Sequence, residues 1–182
     1  MIIILAIVVF VFIFAIASYN GLVSLRNQAD ESWSGIDVQT KRRYDLIPNL
    51  IETVKGYAAH EKDTLDRVIK ARNSAMGAQS TEAKADAENI LSGALKTVFA
   101  LSEAYPDLKA NQNFLDLQKT LAEVEDNIQN ARRYYNAVVR DLNTKCETFP
   151  SVFIANSFGF KKRTFFESQP AERENVKVSF NS

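Results

Sequence analysis

With 182 residues, 22 Lys plus Arg against 22 Asp plus Glu and a formal net charge of zero, the chain has room for one folded domain and an anchor. It has no basic excess to neutralise a nucleic-acid backbone. A single cysteine, Cys146, excludes an internal disulfide and suits a reducing compartment, while only 6 glycines and 4 prolines favour long helices over a many-turned sheet protein.

Residues 1–17 are apolar without exception, and the first charged side chain is Arg26. Seventeen helical residues rise about 25 Å, short of a hydrocarbon core of ~30 Å, and the uncharged residues 18–25 complete the span. Tyr19 falls where an interfacial aromatic belongs. Residues 1–25 therefore read as a transmembrane anchor. Ala15-Ile16-Ala17 also fits a signal-peptidase site, but no basic residue stands ahead of the apolar run, contrary to the usual layout of a cleaved signal. A pilin-like helix would carry Glu where this chain has Leu5. Arg26, Lys41, Arg42 and Arg43 follow the span and no charged side chain precedes it. The positive-inside rule then favours an outer N-terminus and a cytoplasmic domain.

Past the anchor, Leu22, Leu25, Ala29, Trp33 and Ile36 recur at three- and four-residue steps, so the anchor and first bundle helix are expected as one rod. It is expected to end near Tyr44, with a sharp reversal or kink at residues 45–48, because proline is tolerated in a helix's first turn and not in its interior. A second helix carries Ile47, Ile51, Val54, Ala58, Glu61, Leu65, Val68 and Arg72 in four-three alternation. It closes at Gly77, with Ser80 able to cap the third. The third presents Ala83, Ala87, Ile90, Ala94, Val98, Leu101 and Tyr105 until Pro106. The fourth holds Phe114, Leu117, Leu121, Val124, Ile128, Ala131, Tyr135, Val138 and Leu142 without interruption, and Phe149-Pro150 ends it. Short connections between four such helices predict an all-α fold: an antiparallel, up-down-up-down four-helix bundle with coiled-coil-like packing over residues 26–148.

That topology returns residues 149–167 to the bilayer surface. There Phe158, Phe160, Phe165 and Phe166 flank Lys161, Lys162 and Arg163. Together with Tyr19, the rings are expected to enter the headgroup region while each cation adds about 1 kcal/mol beside anionic lipid. The competing reading packs Phe158, Phe160 and Phe165 into the open end of the bundle and leaves the charges solvated. Residues 168–182 read as a polar flexible tail.

Reactive constellations are sparse. The single histidine, His60, cannot supply the two Glu-x-x-His pairs of a di-iron bundle, and Glu61 lacks the second His of a zinc-hydrolase helix. His60 reads as an exposed helix residue and Cys146 as an ordinary helix-end thiol, and the isolated glycines form no phosphate loop. No catalytic, cofactor-binding or metal-binding residue is assigned. Asp37, Arg43, Glu125 and Arg132 flank the apolar stripes and read as register-setting, with Arg132 pairing with Asp37; the alternative is a solvated charged face.

Several long stretches carry a resemblance. YNGLVSLRN at 19–27, SWSGIDVQ at 32–39, KRRYDLIPNL at 41–50 and VKGY at 54–57 with His60-Glu61 resemble the LemA family of bacterial membrane proteins. So do YPDLKA at 105–110, ARRYYN at 131–136, Phe149-Pro150 and Phe158-Gly159-Phe160, and together the matches span most of residues 1–166. The resemblance implies a short outer N-terminus, one membrane span and a cytoplasmic antiparallel helical bundle. It brings no established catalytic residues, and it implies association with a membrane protein carrying a TPM domain. The expected function is a non-enzymatic scaffold that contacts the lipid bilayer, assembles as a homo-oligomer and organises or bends the membrane. The alternative is a small regulatory membrane protein that passes a signal to a partner through its bundle.

Overall fold

The computed structural model describes residues 1–166, and every regular element among them is helical. The expected tail at 168–182, and Glu167 before it, lie outside the described residues. In chain order the elements are α1 (Ile2–Lys55), α2 (Lys62–Gly77), α3 (Thr81–Leu101), a 3-10 turn (Ser102–Ala104), α4 (Pro106–Lys109), α5 (Gln112–Glu147) and α6 (Ser151–Ser157). The chain divides into two compact units, one of residues 1–41 with 124–165 and one built on residues 42–123.

α1 has two kinds of surface. Every large apolar side chain from Met1 to Ile13 is exposed, at 49–105%. From Ser18 onward the helix buries one stripe: Ser18, Leu22, Ala29, Ser32, Ile36, Thr40, Arg43, Ile47, Leu50 and Val54. That spacing is the seam of a helix packed lengthwise on neighbours.

In the first unit α1 and α5 run in opposite directions. Gly21 lies at Lys145, while Trp33 stacks edge-on against Tyr135 at 5.4 Å. Leu22, Ala29, Val138, Leu142, Cys146 and Ala155 form its core. In the second unit the α1 residues Ile47, Leu50 and Val54 close a core with Leu65 and Val68 of α2, Leu91 and Val98 of α3, Leu108 of α4 and Phe114 of α5. Ser80 caps α3 by accepting the Ala83 N–H at 3.1 Å, and Asn111 caps α5 by accepting the Phe114 N–H at 2.9 Å.

The reversal expected at residues 45–48 does not occur there, because α1 continues through Pro48 to Lys55. Pro48 has no N–H for the carbonyl of Tyr44, one turn back, and that orphaned carbonyl is, with the clash of the ring against it, a reason prolines end helices. Here Arg72 of α2 supplies the missing donor, its Nε–H bonding the Tyr44 carbonyl at 2.8 Å. The chain turns at Gly56-Tyr57 instead, with the Ala58 N–H returning to the Val54 carbonyl at 2.8 Å. His60 accordingly sits exposed in this turn and not on a helix.

α3 keeps its expected face at Ala87 and Val98 and departs from it elsewhere. Ala85, Ala87, Glu88, Leu91, Leu95 and Val98 are buried, whereas Ala83 is exposed and Ile90 stands 59% exposed. α3 ends at Leu101, short of Tyr105. α5 follows the expected stripe, with Phe114, Leu121, Val124, Ile128, Tyr135, Val138 and Leu142 buried.

The Pro48–Arg72 compensation has a measurable signature. Arg72→Ala leaves the Tyr44 carbonyl without its donor and is expected to cost about 1–3 kcal/mol in urea unfolding. In a Pro48→Ala background, where the helix regains its own N–H, the same substitution is expected to cost well under half as much. Equal costs in the two backgrounds would remove the compensation.

Candidate functional site

α5 ends at Glu147, and the Ser151 hydroxyl donates to the Lys145 carbonyl at 2.7 Å, folding the chain into α6. Ala155 on α6 inserts into the core beside Leu22 and Cys146. After α6 the chain turns at Gly159, whose φ of +70° is the left-handed conformation that favours glycine. The Phe160 N–H reaches back to the Ala155 carbonyl at 2.9 Å, closing the helix end.

Residues 160–165 then run as a strap along α1 and α5. Phe160 lies edge-on to Tyr19 at 5.7 Å with the Arg26 guanidinium 5.4 Å over its ring. Asn143 clamps Arg163 by its main chain, accepting its N–H at 2.8 Å and donating to its carbonyl at 2.9 Å. The Tyr135 hydroxyl donates to the Thr164 carbonyl at 3.0 Å. The Arg163 side chain turns to Asp30 at 2.7 Å, and Lys162 pairs with Glu147 at 2.5 Å. Hydrogen bonding to Glu147 raises the Lys162 pKa. Burial, with Glu147 nearby, pushes the Cys146 thiol up as well, against a smaller opposing effect of Lys162, so this sulfur is held as a poor nucleophile.

The structure thus brings Tyr19, Phe158 and Phe160 together, with Phe158 62% exposed and its ring 4.8 Å from Tyr19. Lys161 is exposed, Phe165 is half-buried, and Arg163 and Lys162 hold intramolecular ion pairs. Phe166 requires a correction. At 1% exposure its ring is enclosed by protein and cannot present itself to a headgroup layer. Sequence reasoning overlooked Phe149 and Phe153, which stand 80% and 63% exposed and stack edge-on at 5.9 Å. The readable sign was two phenylalanines four residues apart about the helix-ending Pro150.

The residues expected to set register divide between the units. In the first, Arg132 is buried and Asp37 half-buried on the paired helices, and Glu125 accepts the Gln129 amide at 2.9 Å. In the second, Arg43 is fully buried and ion-paired with Glu88 of α3, which also accepts the Tyr44 hydroxyl. Arg43 further donates to the Ser92 hydroxyl at 2.9 Å. Glu88 was missed in the sequence, although it stands three and seven residues before Leu91 and Leu95, a lone acid on their face.

The profile of the LemA family matches residues 32–180. The chain belongs to the LemA family. It is similar over 181 residues, at 28% identity, to Protein LemA of Metamycoplasma hominis, covering 97% of this chain and 80% of that one. At 23% identity over 179 residues it is also similar to the Magnetosome protein MamQ 2 of Paramagnetospirillum magneticum. The related Magnetosome protein MamQ of Magnetospirillum gryphiswaldense stands at 22%. For both magnetosome relatives, 84% of this LemA-family chain is covered and 66% of the relative. LemA proteins are membrane-associated bacterial proteins, and the long apolar helix of this chain accords with that.

Two outcomes follow from these contacts. Glu88→Gln leaves the Arg43 charge buried without its counter-ion, with an expected cost of about 3–5 kcal/mol in chemical unfolding. Pairing it with Arg43→Met is expected to restore most of that loss. Asn143→Ala removes both main-chain bonds to Arg163. The expected result is faster tryptic cleavage after Lys161, Lys162 and Arg163, with α-helical circular dichroism unchanged; an unaltered cleavage rate would show that the amide does not hold the strap.

Proposed function

We propose that this LemA-family protein is a non-enzymatic scaffold of the bacterial cytoplasmic membrane. Residues 1–25 cross the bilayer with the N-terminus outside, and a four-helix antiparallel bundle stands on the cytoplasmic side. One observation carries the reading: the exposed apolar side chains of residues 1–13 share a helix with the packed stripe that begins at Ser18. Apolar surface of that extent needs lipid around it, while the stripe needs protein.

Self-association is the working mode. The bundle meets further copies of itself and so organises or bends the bilayer, and a TPM-domain membrane protein is a candidate partner. Names that refer to a magnetosome and not to a reaction, among the relatives, support a structural role over catalysis. Register within the first unit is set by Arg132 and Asp37. The phase that opposes Trp33 to Tyr135 places Asp37 near Ala131, one residue from Arg132, which supports that pairing.

Cryo-electron microscopy of the full-length protein in native membrane vesicles tests the assembly. Multi-copy particles on locally curved or thickened bilayer are expected. Monomers recovered with one stoichiometric soluble partner would replace scaffolding by the regulatory role. Protection of residues 149–166 from a membrane-impermeant reagent applied to intact cells is the expected sign of a cytoplasmic domain.

A further inference from the structure

α6 is short, amphipathic and only half covered. Its inner side is fixed by Ser151 and Ala155, both buried, while Phe149 just before it, Phe153 on it and Phe158 just after it are exposed at 80%, 63% and 62%. Three large rings on seven residues and their flanks are a dense apolar patch, and among the described residues none covers it.

Its level along α1 identifies what would cover it. The hydrocarbon boundary falls between Ala17, the last residue of the unbroken apolar run, and Arg26, the first charge. Phe158 touches Tyr19 at 4.8 Å, inside that interval. The antiparallel register agrees independently: with Lys145 at Gly21, carrying α5 past its end at Glu147 sets the turn at residues 148–150 beside Ala17. Cations accompany the rings. Lys145 lies at Gly21, and Lys161 and Lys162 follow Phe160 on the strap, Lys161 exposed and Lys162 paired with Glu147. Exposed aromatics with flanking lysines at the water–hydrocarbon boundary match an anionic headgroup layer, where aromatic bodies bury and ammonium groups reach phosphate.

We infer that α6 is an in-plane membrane foot, with Phe149, Phe153 and Phe158 seated in the headgroup layer beside the emerging anchor helix. The inference rests on residues 1–25 crossing the bilayer, and it moves the lipid contact from Phe165 and Phe166 to the α6 rings. A foot of this kind gives the first unit a second point of attachment and so restricts its tilt about the span. A single helix crossing the membrane leaves that tilt unrestrained.

Nitroxide labels on the full-length chain in phosphatidylcholine–phosphatidylglycerol vesicles test it. They are placed singly by Phe149→Cys, Phe153→Cys, Val9→Cys and Asp126→Cys, each with Cys146→Ser. Collision with oxygen reports lipid, and collision with a water-soluble nickel chelate reports solvent. The expected result is oxygen-dominated collision at 149 and 153, shallower than at 9, and nickel-dominated collision at 126. A label placed by Asn156→Cys is expected to shift toward nickel when Phe149 and Phe153 are both changed to Ser. Nickel-dominated collision at 149 and 153 with oxygen-dominated collision at 9 overturns the foot and leaves the anchor standing. Loss of both collisions at 149 and 153 overturns it in favour of a second copy seated on α6. Nickel-dominated collision at 9 removes the anchor and the foot together.

Discussion

Pro48 takes from α1 the N–H that the Tyr44 carbonyl would accept, and Arg72 gives that carbonyl another donor from a different helix. Much of the second unit depends on this exchange. Because the helix survives the proline, Arg43 and Tyr44 stay in phase with Ile47, Leu50 and Val54 on one buried stripe, and the same face meets both the ion pair of α3 and the apolar core. Had the chain reversed at residue 45, the residues up to Val54 would have run back on the opposite side of the turn. Arginine suits the task because its Nε–H is a directional donor at the end of a long side chain.

The two ends of α1 invert the usual distribution of polarity. In the second unit an arginine and a glutamate are enclosed, at a desolvation cost that their mutual attraction, Tyr44 and Ser92 together offset. At the other end of the helix, isoleucine, valine, leucine and phenylalanine face outward over the first thirteen residues. Neither arrangement would persist in the other's surroundings. The stripe is specified by partners within the chain, whereas the apolar face of residues 1–13 is left uncovered by the described residues. The all-helical architecture follows from both, since a helix satisfies its own backbone in either medium.

Periodicity in the sequence located helices far better than it located their ends. The nine-position stripe of the fifth helix was legible because an apolar set spaced at three and four residues has few alternative explanations, and its residues are indeed covered. The stripe from Ile47 to Val68 was equally visible, yet it runs across a turn, so its residues were rightly expected in the core and wrongly assigned to one helix. Proline misled for a reason that local sequence cannot reveal, because the donor that rescues it is 24 residues further along. Gly56 after Lys55 was the available stop signal. On α3, counting alanines and Ile90 as the core face hid the true one, which includes a glutamate. A charge reads as exposed until its counter-charge is known. Beside α6, Tyr19, Phe158 and Phe160 were legible as a group, whereas the depth of Phe166 and the exposure of Phe149 and Phe153 depend on how α6 folds back, which composition does not encode.

The strap that follows Gly159 is held mostly through its backbone. Asn143 takes the amide and carbonyl of residue 163, and Tyr135 takes the carbonyl of residue 164. Such handles are identical whatever side chain they carry. The side chains of residues 161–164 can therefore change while the path of the chain persists, provided the gripping amide and phenol are kept. The freedom to diversify sits on the strap and the obligation sits on α5, so one helix acts as a fixed rail for a segment whose side chains are exchangeable.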